Sequence, residues 1–245
     1  GNRDTKKQGI TELIFTLFKY LNALINLVLD LVYPNTCVGC SRIHEDNRTN
    51  ICKFCKDGMQ PTKFGNWVQN VTNNNYLDYM RSTWFYNLIL HNLIHSLKYN
   101  DRANFGFDLG VLLGEEILED EIGDIDMIIP VPLHWLKKRE RVYNQAFWLA
   151  KGLASIYAVP VDTSIIKRTR YTVSQTMLGS TERMVNLDGA FTINKSLNNQ
   201  HILLVDDVLT TGSTISNCAK VLRENGAARV SGITCTTPRE DFRND

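Results

Sequence analysis

The second half of the chain alternates short apolar runs with amphipathic segments. The apolar runs are "DMIIPV" (126–131), "HILLVDD" (201–207) and "ARVSGITCTT" (228–237). Short, nearly continuous apolar runs are typical of strands that are buried on both faces. Between them, a 3.6-residue period predicts helices over 143–156 and 214–224, the second stopped by Asn225-Gly226. This repetition of strand, helix and strand predicts an α/β fold in three layers, with helices on both faces of a parallel sheet.

The N-terminal part has a different pattern. Residues 10–32 read as one helix with a wide apolar side, and Pro34 marks its end. Its apolar side is formed by Leu13, Leu17, Leu21, Leu24, Val28 and Leu31. Polar residues interrupt the segment, namely Glu12, Lys19, Asn22, Asn26 and Asp30, and they argue against a membrane span and a secretory signal. We interpret it as a packing or dimerisation helix of a cytoplasmic protein.

The pattern predicts three parts. They are an N-terminal amphipathic helix (1–33), a cysteine-bearing module (34–62) and an α/β domain (76–245), with the polar stretch "NVTNNNY" (70–76) as a linker or exposed loop. The whole chain has 245 residues, of which 43% are hydrophobic, enough for one large core with a small appendage. Its net charge of +1 gives no global electrostatic reason to bind nucleic acid, although a local basic patch remains compatible with it.

Four of the six cysteines form two C-x-x-C pairs, Cys37 with Cys40 and Cys52 with Cys55. Each pair can hold one side of a tetrahedral ion, so the four predict a closed structural zinc site with sulfur distances of about 2.3 Å. The segment between the pairs is too polar to form a core of its own, which makes a structural ion its natural stabiliser. A pair of disulfides is the alternative.

Three further residues have side chains that can bind a metal ion. His44 lies between the two cysteine pairs and is an alternative ligand, although a histidine in a polar segment is more often solvated. Cys218 and Cys235 fall in the apolar pattern of the last helix and strand, where buried core thiols are expected.

The stretch "ILLVDDVLTTGST" (202–214) carries the most chemistry. A buried strand that ends in Asp206 and Asp207 presents carboxylates at its carboxyl end, where ligands bind in open parallel sheets. The following Thr210, Thr211, Gly212, Ser213 and Thr214 lead into a helix N-terminus, which favours an anion. Gly212 is expected to let the backbone approach a ligand closely. Together these features predict a sugar phosphate, with carboxylates on the hydroxyls and the loop on the phosphate. No triphosphate-binding G-x-x-x-x-G-K-[ST] motif occurs.

This order of apolar run, two acids and T-T-G-x-T-like loop resembles the phosphoribosyl pyrophosphate (PRPP) motif of type I phosphoribosyltransferases. A narrower resemblance is to the ComF family of competence-associated proteins. It is carried by "IHSLKYNDRANFGFDLG" (94–110), "PVPLHWLKKRERVYNQA" (130–146), "RTRYTVSQTMLGSTERMVNLDGAF" (168–191) and the four cysteines. The resemblance implies a type I phosphoribosyltransferase fold preceded by a zinc-ribbon-like module.

The resemblance also implies roles for individual residues. Asp206 and Asp207 would be catalytic and hold the ribose hydroxyls, and residues 210–214 would bind the 5-phosphate. A pyrophosphate loop and a flexible loop would cover the ligand with Lys137, Lys138, Arg139, Arg141, Arg170, Thr172, Gln175 and Arg183. Val142 stands where the family usually has Gly, and Val173 and Ser174 where proline is common. A β-branched residue fits poorly where a backbone needs positive φ, so pyrophosphate binding is expected to be weakened.

Two functions follow from the resemblance. The first is an enzyme that transfers a phosphoribosyl group from PRPP to an acceptor, with magnesium and with release of pyrophosphate, in connection with DNA uptake. The second is a non-catalytic PRPP-binding accessory protein that contacts single-stranded DNA or a DNA-uptake or recombination protein. The sequence does not identify the acceptor, and a homodimer is compatible with either function.

Overall fold

The structure is a computed structural model. It describes residues 15–22, 24–25, 28, 34–44, 49–62, 65–66, 68–71, 74–99, 104–117, 122–133, 143–169 and 189–238.

A four-stranded parallel sheet forms the centre of the α/β domain. Its strands are β1 (Tyr79–Phe85), β2 (Met127–Pro130), β5 (His201–Val208) and β6 (Arg229–Thr237), in the order β1-β6-β5-β2. All three pairings are parallel. The strand that carries the two acids is therefore internal, as the sequence predicts, and its neighbours shield both of its edges.

The helices that flank the sheet are α2 (Leu88–Tyr99), α3 (Asn104–Glu116), α4 (Gln145–Tyr157) and α5 (Ser213–Glu224). Alternate residues of β5 point to opposite faces, as strand geometry requires. Leu203 and Val205 share a core with α2, α3 and α4, whereas Ile202 and Leu204 share a second core with α5. This arrangement confirms the three-layer prediction.

Helices α3 and α4 pack closely against each other through glycine. A Cβ atom added at Gly152 would collide with the carbonyl oxygen of Phe107, and one added at Gly110 would collide with that of Leu149. The close approach fixes α4 relative to the sheet. The first residue of α4 therefore has a defined position beside the carboxyl end of β5.

A short antiparallel pair accompanies α5. Strands β3 (Ile166–Arg168) and β4 (Phe191–Ile193) pair with each other and not with the main sheet. The sequence did not predict this pair, because three-residue strands leave too short a pattern to recognise.

The cysteine-bearing segment packs on the α/β domain. It contains a short helix, α1 (Lys53–Asp57), and the buried Ile51 and Cys55 belong to the same core as α2 and α3. The side chain of Asn92 donates a hydrogen bond to the carbonyl oxygen of Gly39 (2.9 Å), and that of Asn87 donates one to Gly58 (2.9 Å). The module and the sheet therefore share one hydrophobic core.

The N-terminal helix is described only in part. Residues 15–22, 24–25 and 28 are helical, and every one of them is exposed, including large apolar side chains such as Phe15 (75%). The rest of the segment predicted over 10–32 lies outside the described residues. No helix in the described ranges is long and apolar enough to cross a membrane.

Candidate functional site

The two acids lie in the last three residues of β5. Asp207 is buried, with 7% of its surface exposed, and Asp206 is half-buried. The backbone N–H of Asp207 donates a hydrogen bond to Oδ1 of Asp206 (2.9 Å). The carboxyl end of the sheet thus holds two adjacent carboxyl groups in fixed positions, where the sequence predicts them.

Two donors from distant parts of the chain meet one oxygen of Asp207. The ammonium of Lys98, in the last turn of α2, lies 3.0 Å from Oδ2. The amide of Gln145, the first residue of α4, donates to the same oxygen at 3.2 Å. Sequence reasoning singled out neither residue as part of the site. Both residues occur in segments that carry the family resemblance, "IHSLKYN" and "RVYNQA". That resemblance was the one feature of the sequence that pointed to them.

The start of α4 is fixed to the end of β2. Asn144 caps the helix by accepting a hydrogen bond from the backbone N–H of Ala146 (3.1 Å). Its amide nitrogen donates to the carbonyl oxygen of Val131, one residue beyond β2 (3.0 Å). This double contact holds Gln145, which is 3% exposed, beside Asp207.

Burial and the neighbouring negative charge change the pKa of Asp206. Burial, together with the neighbouring charge of Asp207, raises the pKa of Asp206 to about 8. The Asp207 N–H and the Lys98 ammonium act in the opposite direction but do not offset these effects. Asp206 therefore holds a proton in most molecules near neutral pH.

A guanidinium group shares the electrostatic environment of this pair. Arg168, at the end of β3, is mostly buried, and burial lowers its pKa, while the charges of Cys218 and Asp206 act to raise it. Its guanidinium also lies 5.5 Å above the ring of Phe191 in β4. Through Arg168, the β3–β4 pair contributes positive charge to the neighbourhood of the acids.

The loop after β5 turns directly into α5. Gly212 is the N-cap, and its φ of 72° lies in the left-handed region that glycine adopts without strain. The hydroxyls of Thr211 and Ser213 are 2.9 Å apart, and the Ser213 N–H points to Oγ1 of Thr211 (3.4 Å). The first turn of α5 thus lies at the same end of the sheet as the acids. The N–H groups of its first three residues, before Ser216, have no carbonyl partner within the helix.

The structure gives two reasons for glycine at position 212, and the expected close approach to a ligand stays a prediction. A Cβ atom at this position would lie 2.7 Å from Cγ1 of Val71. Val71 directly follows the 3-10 segment Val68–Asn70, and its side chain supplies the three nearest atoms. Glycine is required here by the positive φ and by this contact with Val71.

Two other groups of predicted site residues lie outside the described residues. These are the basic loop, with Lys137, Lys138, Arg139, Arg141 and Val142, and the second loop, with Arg170, Thr172, Val173, Ser174, Gln175 and Arg183.

The four predicted cysteines come together in a second site. Their Sγ atoms all lie within 4.8 Å of one another, and Cys40 and Cys52 are 3.7 Å apart. A tetrahedral zinc site with Zn–S distances of about 2.3 Å requires sulfurs separated by about 3.8 Å. The donor set and the spacing therefore fit a zinc ion. All six cysteines are free thiols in the structure.

The thiols of the cluster differ in acidity. Burial acts to raise the pKa of Cys37, but backbone N–H groups of Cys52, Cys40 and Gly39 outweigh it and lower this pKa to about 7. Burial and the neighbouring sulfurs raise the pKa of Cys55 far above its usual value. A bound cation would favour the thiolate at all four positions.

His44 is not part of the cysteine cluster. Within the described residues, the group of potential metal ligands consists of the four cysteines. The expectation that His44 is solvated is wrong, because it is half-buried and both ring nitrogens are shielded from solvent. Cys218 and Cys235 are completely buried, as predicted.

Comparison with known proteins assigns the fold. Residues 142–241 match the phosphoribosyl transferase domain family. The chain is 37% identical over 142 residues to the DNA utilization protein YhgH of Escherichia coli O157:H7, and the match covers 56% of this chain and 63% of that protein. It is 38% identical over 108 residues to competence protein F of Haemophilus influenzae, covering 43% of this chain and 47% of that protein. Over part of its length the chain is therefore homologous to proteins named DNA utilization protein YhgH and competence protein F.

The homology has defined limits. The chain spans less than two thirds of the length of these curated relatives. Among solved structures, glutamine PRPP amidotransferase from B. subtilis matches with a TM-score of 0.39 and 17% identity, over 57% of this chain and 30% of that chain. Purine phosphoribosyltransferase from Pyrococcus horikoshii matches with a TM-score of 0.34 and 17% identity, over 54% and 73%. The family match and the parallel sheet together confirm the predicted fold class. The matches to competence protein F and to DNA utilization protein YhgH confirm the predicted resemblance.

Proposed function

We propose that this protein binds PRPP at the carboxyl end of its parallel sheet and transfers the phosphoribosyl group to an acceptor. One observation carries the proposal. An acidic pair on an internal strand, Asp206 and Asp207, is followed by a left-handed Gly212 and a helix N-terminus, inside the segment that matches the phosphoribosyl transferase domain.

The acids are assigned to the ribose and the loop to the phosphate. A carboxylate accepts hydrogen bonds from vicinal hydroxyls, and Asp207 is held ready for this by its contacts with Lys98 and Gln145. The N–H groups at the start of α5 and the hydroxyls of residues 210–214 are donors suited to a phosphate dianion. The distance between the two subsites is set by the short loop between β5 and α5.

The two loops outside the described residues are assigned to the pyrophosphate. Lys137, Arg139 and Arg141 would supply positive charge to the leaving group, and Arg170, Thr172, Gln175 and Arg183 would cover it. These assignments rest on the family resemblance. Closure over the ligand would also exclude water, which otherwise hydrolyses an activated sugar.

The reaction places clear demands on the site. As the bond from the anomeric carbon to pyrophosphate breaks, positive charge grows on the sugar and negative charge on the leaving group. The carboxylates of the acidic pair hold the ribose and stabilise the adjacent positive charge. Magnesium that binds with the diphosphate would neutralise part of its charge. The acceptor then supplies the electron pair that forms the new bond to the anomeric carbon.

The four cysteines are assigned to one structural zinc ion. Four sulfurs within 4.8 Å of one another, three of them on buried cysteines, would supply all four ligands of a tetrahedral ion and leave no open position for a substrate. The ion would therefore stabilise the module and take no part in phosphoribosyl transfer.

A second function has separate support. Relatives of the chain are named DNA utilization and competence proteins, which favours a PRPP-binding accessory role in which the protein contacts DNA or a DNA-processing partner in the cytoplasm. Both functions use the same pocket. They differ in whether the bond to pyrophosphate is broken.

The binding site is tested by titration calorimetry with PRPP and magnesium. Replacing Asp206 and Asp207 together by Ala removes charge-assisted hydrogen bonds of roughly 1.5–3 kcal/mol each, so PRPP affinity should fall at least tenfold. A thermal melt of the double variant checks that the fold survives the loss of the ion pair between Lys98 and Asp207. Asp124→Ala is the control, since Asp124 is exposed before β2, at the opposite end of the sheet. Unchanged affinity in a folded double variant contradicts the proposal.

Turnover is tested separately by release of pyrophosphate. The wild-type protein is incubated with PRPP, magnesium and a panel of nucleobases and amines. Release above the acceptor-free background supports the transferase. Tight PRPP binding with no release across the panel supports the accessory role.

A further inference from the structure

Lys98 lies outside the segment that matches the phosphoribosyl transferase domain. That match begins at residue 142, whereas Lys98 belongs to the last turn of α2. Its side chain is 22% exposed, and its ammonium lies 3.0 Å from Oδ2 of Asp207. A lysine that is mostly removed from water needs a partner for its charge, and a nearly buried carboxylate supplies one.

The position of Lys98 is determined by contacts along the whole of α2. Near the start of this helix, Asn87 and Asn92 donate hydrogen bonds to carbonyl oxygens of the cysteine module. Near its end, the hydroxyl of Tyr143 donates to the carbonyl oxygen of Leu97 (2.9 Å). The residues on its inner side, among them Leu93 and Leu97, are completely buried. The ammonium is therefore supplied by a rigid element.

Gln145 approaches the same oxygen from another element. Its amide nitrogen donates to Oδ2 of Asp207, whereas its own Oε1 is buried and has no hydrogen-bond partner. An amide held with one polar atom unsatisfied carries a free-energy cost. The contact with Asp207 is thus maintained although Oε1 of Gln145 remains without a hydrogen-bond partner.

The carboxylate pair explains why such positioning is needed. Asp206 and Asp207 are adjacent, and two like charges in a partly buried site repel each other. A fixed cation on Asp207 determines which of the two acids carries the charge and fixes the rotamer of that side chain. A ribose hydroxyl then meets a charged acceptor whose orientation is already fixed. Ligand binding therefore does not have to overcome the entropy cost of ordering the Asp207 side chain.

We propose that Lys98 is a positioning residue of the PRPP site, which acts with Gln145 by holding Asp207 as an oriented carboxylate for the ribose hydroxyls. The inference rests on the proposed function. It adds to the site a residue from outside the segment that matches the transferase domain. It also gives helix α2, which is hydrogen-bonded to the cysteine module, a role in ligand binding.

The test is a set of PRPP titrations with magnesium, with thermal melts of every variant. Lys98→Met should weaken PRPP binding at least tenfold, because Asp207 loses its cation. Lys98→Arg keeps the charge and should recover affinity to within about threefold of the wild type. Lys151→Met is the matched control, since Lys151 is an exposed lysine on α4, and it should bind as the wild type does. If Lys98→Met does not fold, Lys98→Gln provides the neutral variant of similar length.

A double variant separates positioning from direct contact with the ligand. If Lys98 acts through Asp207, Lys98→Met should cause little further loss in an Asp207→Asn background, so the two effects are not additive. Additive losses would overturn the inference, as would wild-type affinity in Lys98→Met. If the wild-type protein itself does not bind PRPP, the proposed function fails and the inference fails with it. A wild type that binds PRPP while Lys98→Met binds equally well refutes the role of Lys98 alone.

Discussion

The two sites of this protein solve the same electrostatic problem in different ways. The cysteine cluster brings four sulfurs within 4.8 Å of one another, and the acidic site places two carboxyl groups on adjacent residues. Either arrangement is unfavourable when its groups are ionised. At the acidic site the chain provides its own cation, Lys98, from 109 positions earlier in the sequence (207 − 98). At the cysteine cluster the donor set is suited to an external ion.

One site has a cation from the chain and the other is suited to an external ion, so the two sites should contribute differently to the stability of the fold. A cation that belongs to the chain is always present, so the acidic site can remain open for a ligand. An external ion joins the cysteine pairs only when it is bound, so that site should contribute to folding rather than to ligand recognition. The predictions below test this division, from the largest effect to the smallest.

Removal of the metal should have the largest effect. Structural zinc contributes an apparent free energy of about 10–16 kcal/mol in zinc-finger peptides, and Cys37 and Cys55 belong to the main core. We therefore expect about one zinc per chain by elemental analysis, and a large loss of thermal stability on chelation or in Cys55→Ser. Cys218→Ala, a buried cysteine outside the cluster, should retain the metal. A zinc content near zero in protein purified without chelator would refute the assignment.

Truncation of the internal strand should have the next largest effect, and on stability alone. Leu204 is completely buried in the core between β5 and α5. Leu204→Ala should lower the free energy of unfolding by about 2–5 kcal/mol through loss of burial and creation of a cavity. Urea denaturation measures this loss.

The PRPP affinity of Leu204→Ala separates the role of the core from that of the acidic pair. Leu204 is two residues before Asp206, and the side chain faces the core. PRPP affinity of folded Leu204→Ala should therefore match the wild type, whereas the Asp206→Ala/Asp207→Ala protein should show the reverse pattern. A tenfold loss of affinity in Leu204→Ala would show that the site depends on packing beneath it.

The smallest effect is a pH dependence of binding. The pKa of Asp206 is raised to about 8, so at pH 7 most molecules hold a proton there and must lose it to offer two carboxylates to the ribose. As the pH rises through 8 this cost disappears, and PRPP affinity should increase roughly tenfold between pH 7 and pH 9 and then level off. Asp206→Asn should bind more weakly and without this rise. An affinity that is constant or falls over the same range would contradict the assignment of Asp206.

The main elements were predictable because their patterns are local. Strand β5, helix α4 and helix α5 were expected over 201–207, 143–156 and 214–224, and the structure gives His201–Val208, Gln145–Tyr157 and Ser213–Glu224. Continuous apolar runs and 3.6-residue periods arise from burial of one face or both, which a sequence records directly. The predicted division at 1–33, 34–62 and 76–245 stays a prediction.

The contacts of single side chains were less predictable. Nothing in the pattern around Val71 indicates that it packs against Gly212, since the two are far apart in the chain. The same applies to His44, whose ring is shielded although its neighbours in the sequence are polar. Local composition predicts the average exposure of a segment but not the environment of one residue within it.

The sequence by itself determined the chemistry of each site. It supplied two C-x-x-C pairs, whose short spacing limits where the thiols can lie, and an acidic pair that follows an apolar run and precedes a helix. Within each C-x-x-C pair and within the acidic pair the residues are so close in the chain that backbone geometry brings them together.

Only the tertiary structure decided which groups surround Asp207. Lys98 and Gln145 reach it because α2 packs against the cysteine module and α4 packs through glycine against α3. Such long-range contacts depend on the burial of whole helix faces, to which many residues each contribute a little. For that reason no short motif in the sequence records the ion pair between Lys98 and Asp207, and it emerges only when the chain is folded.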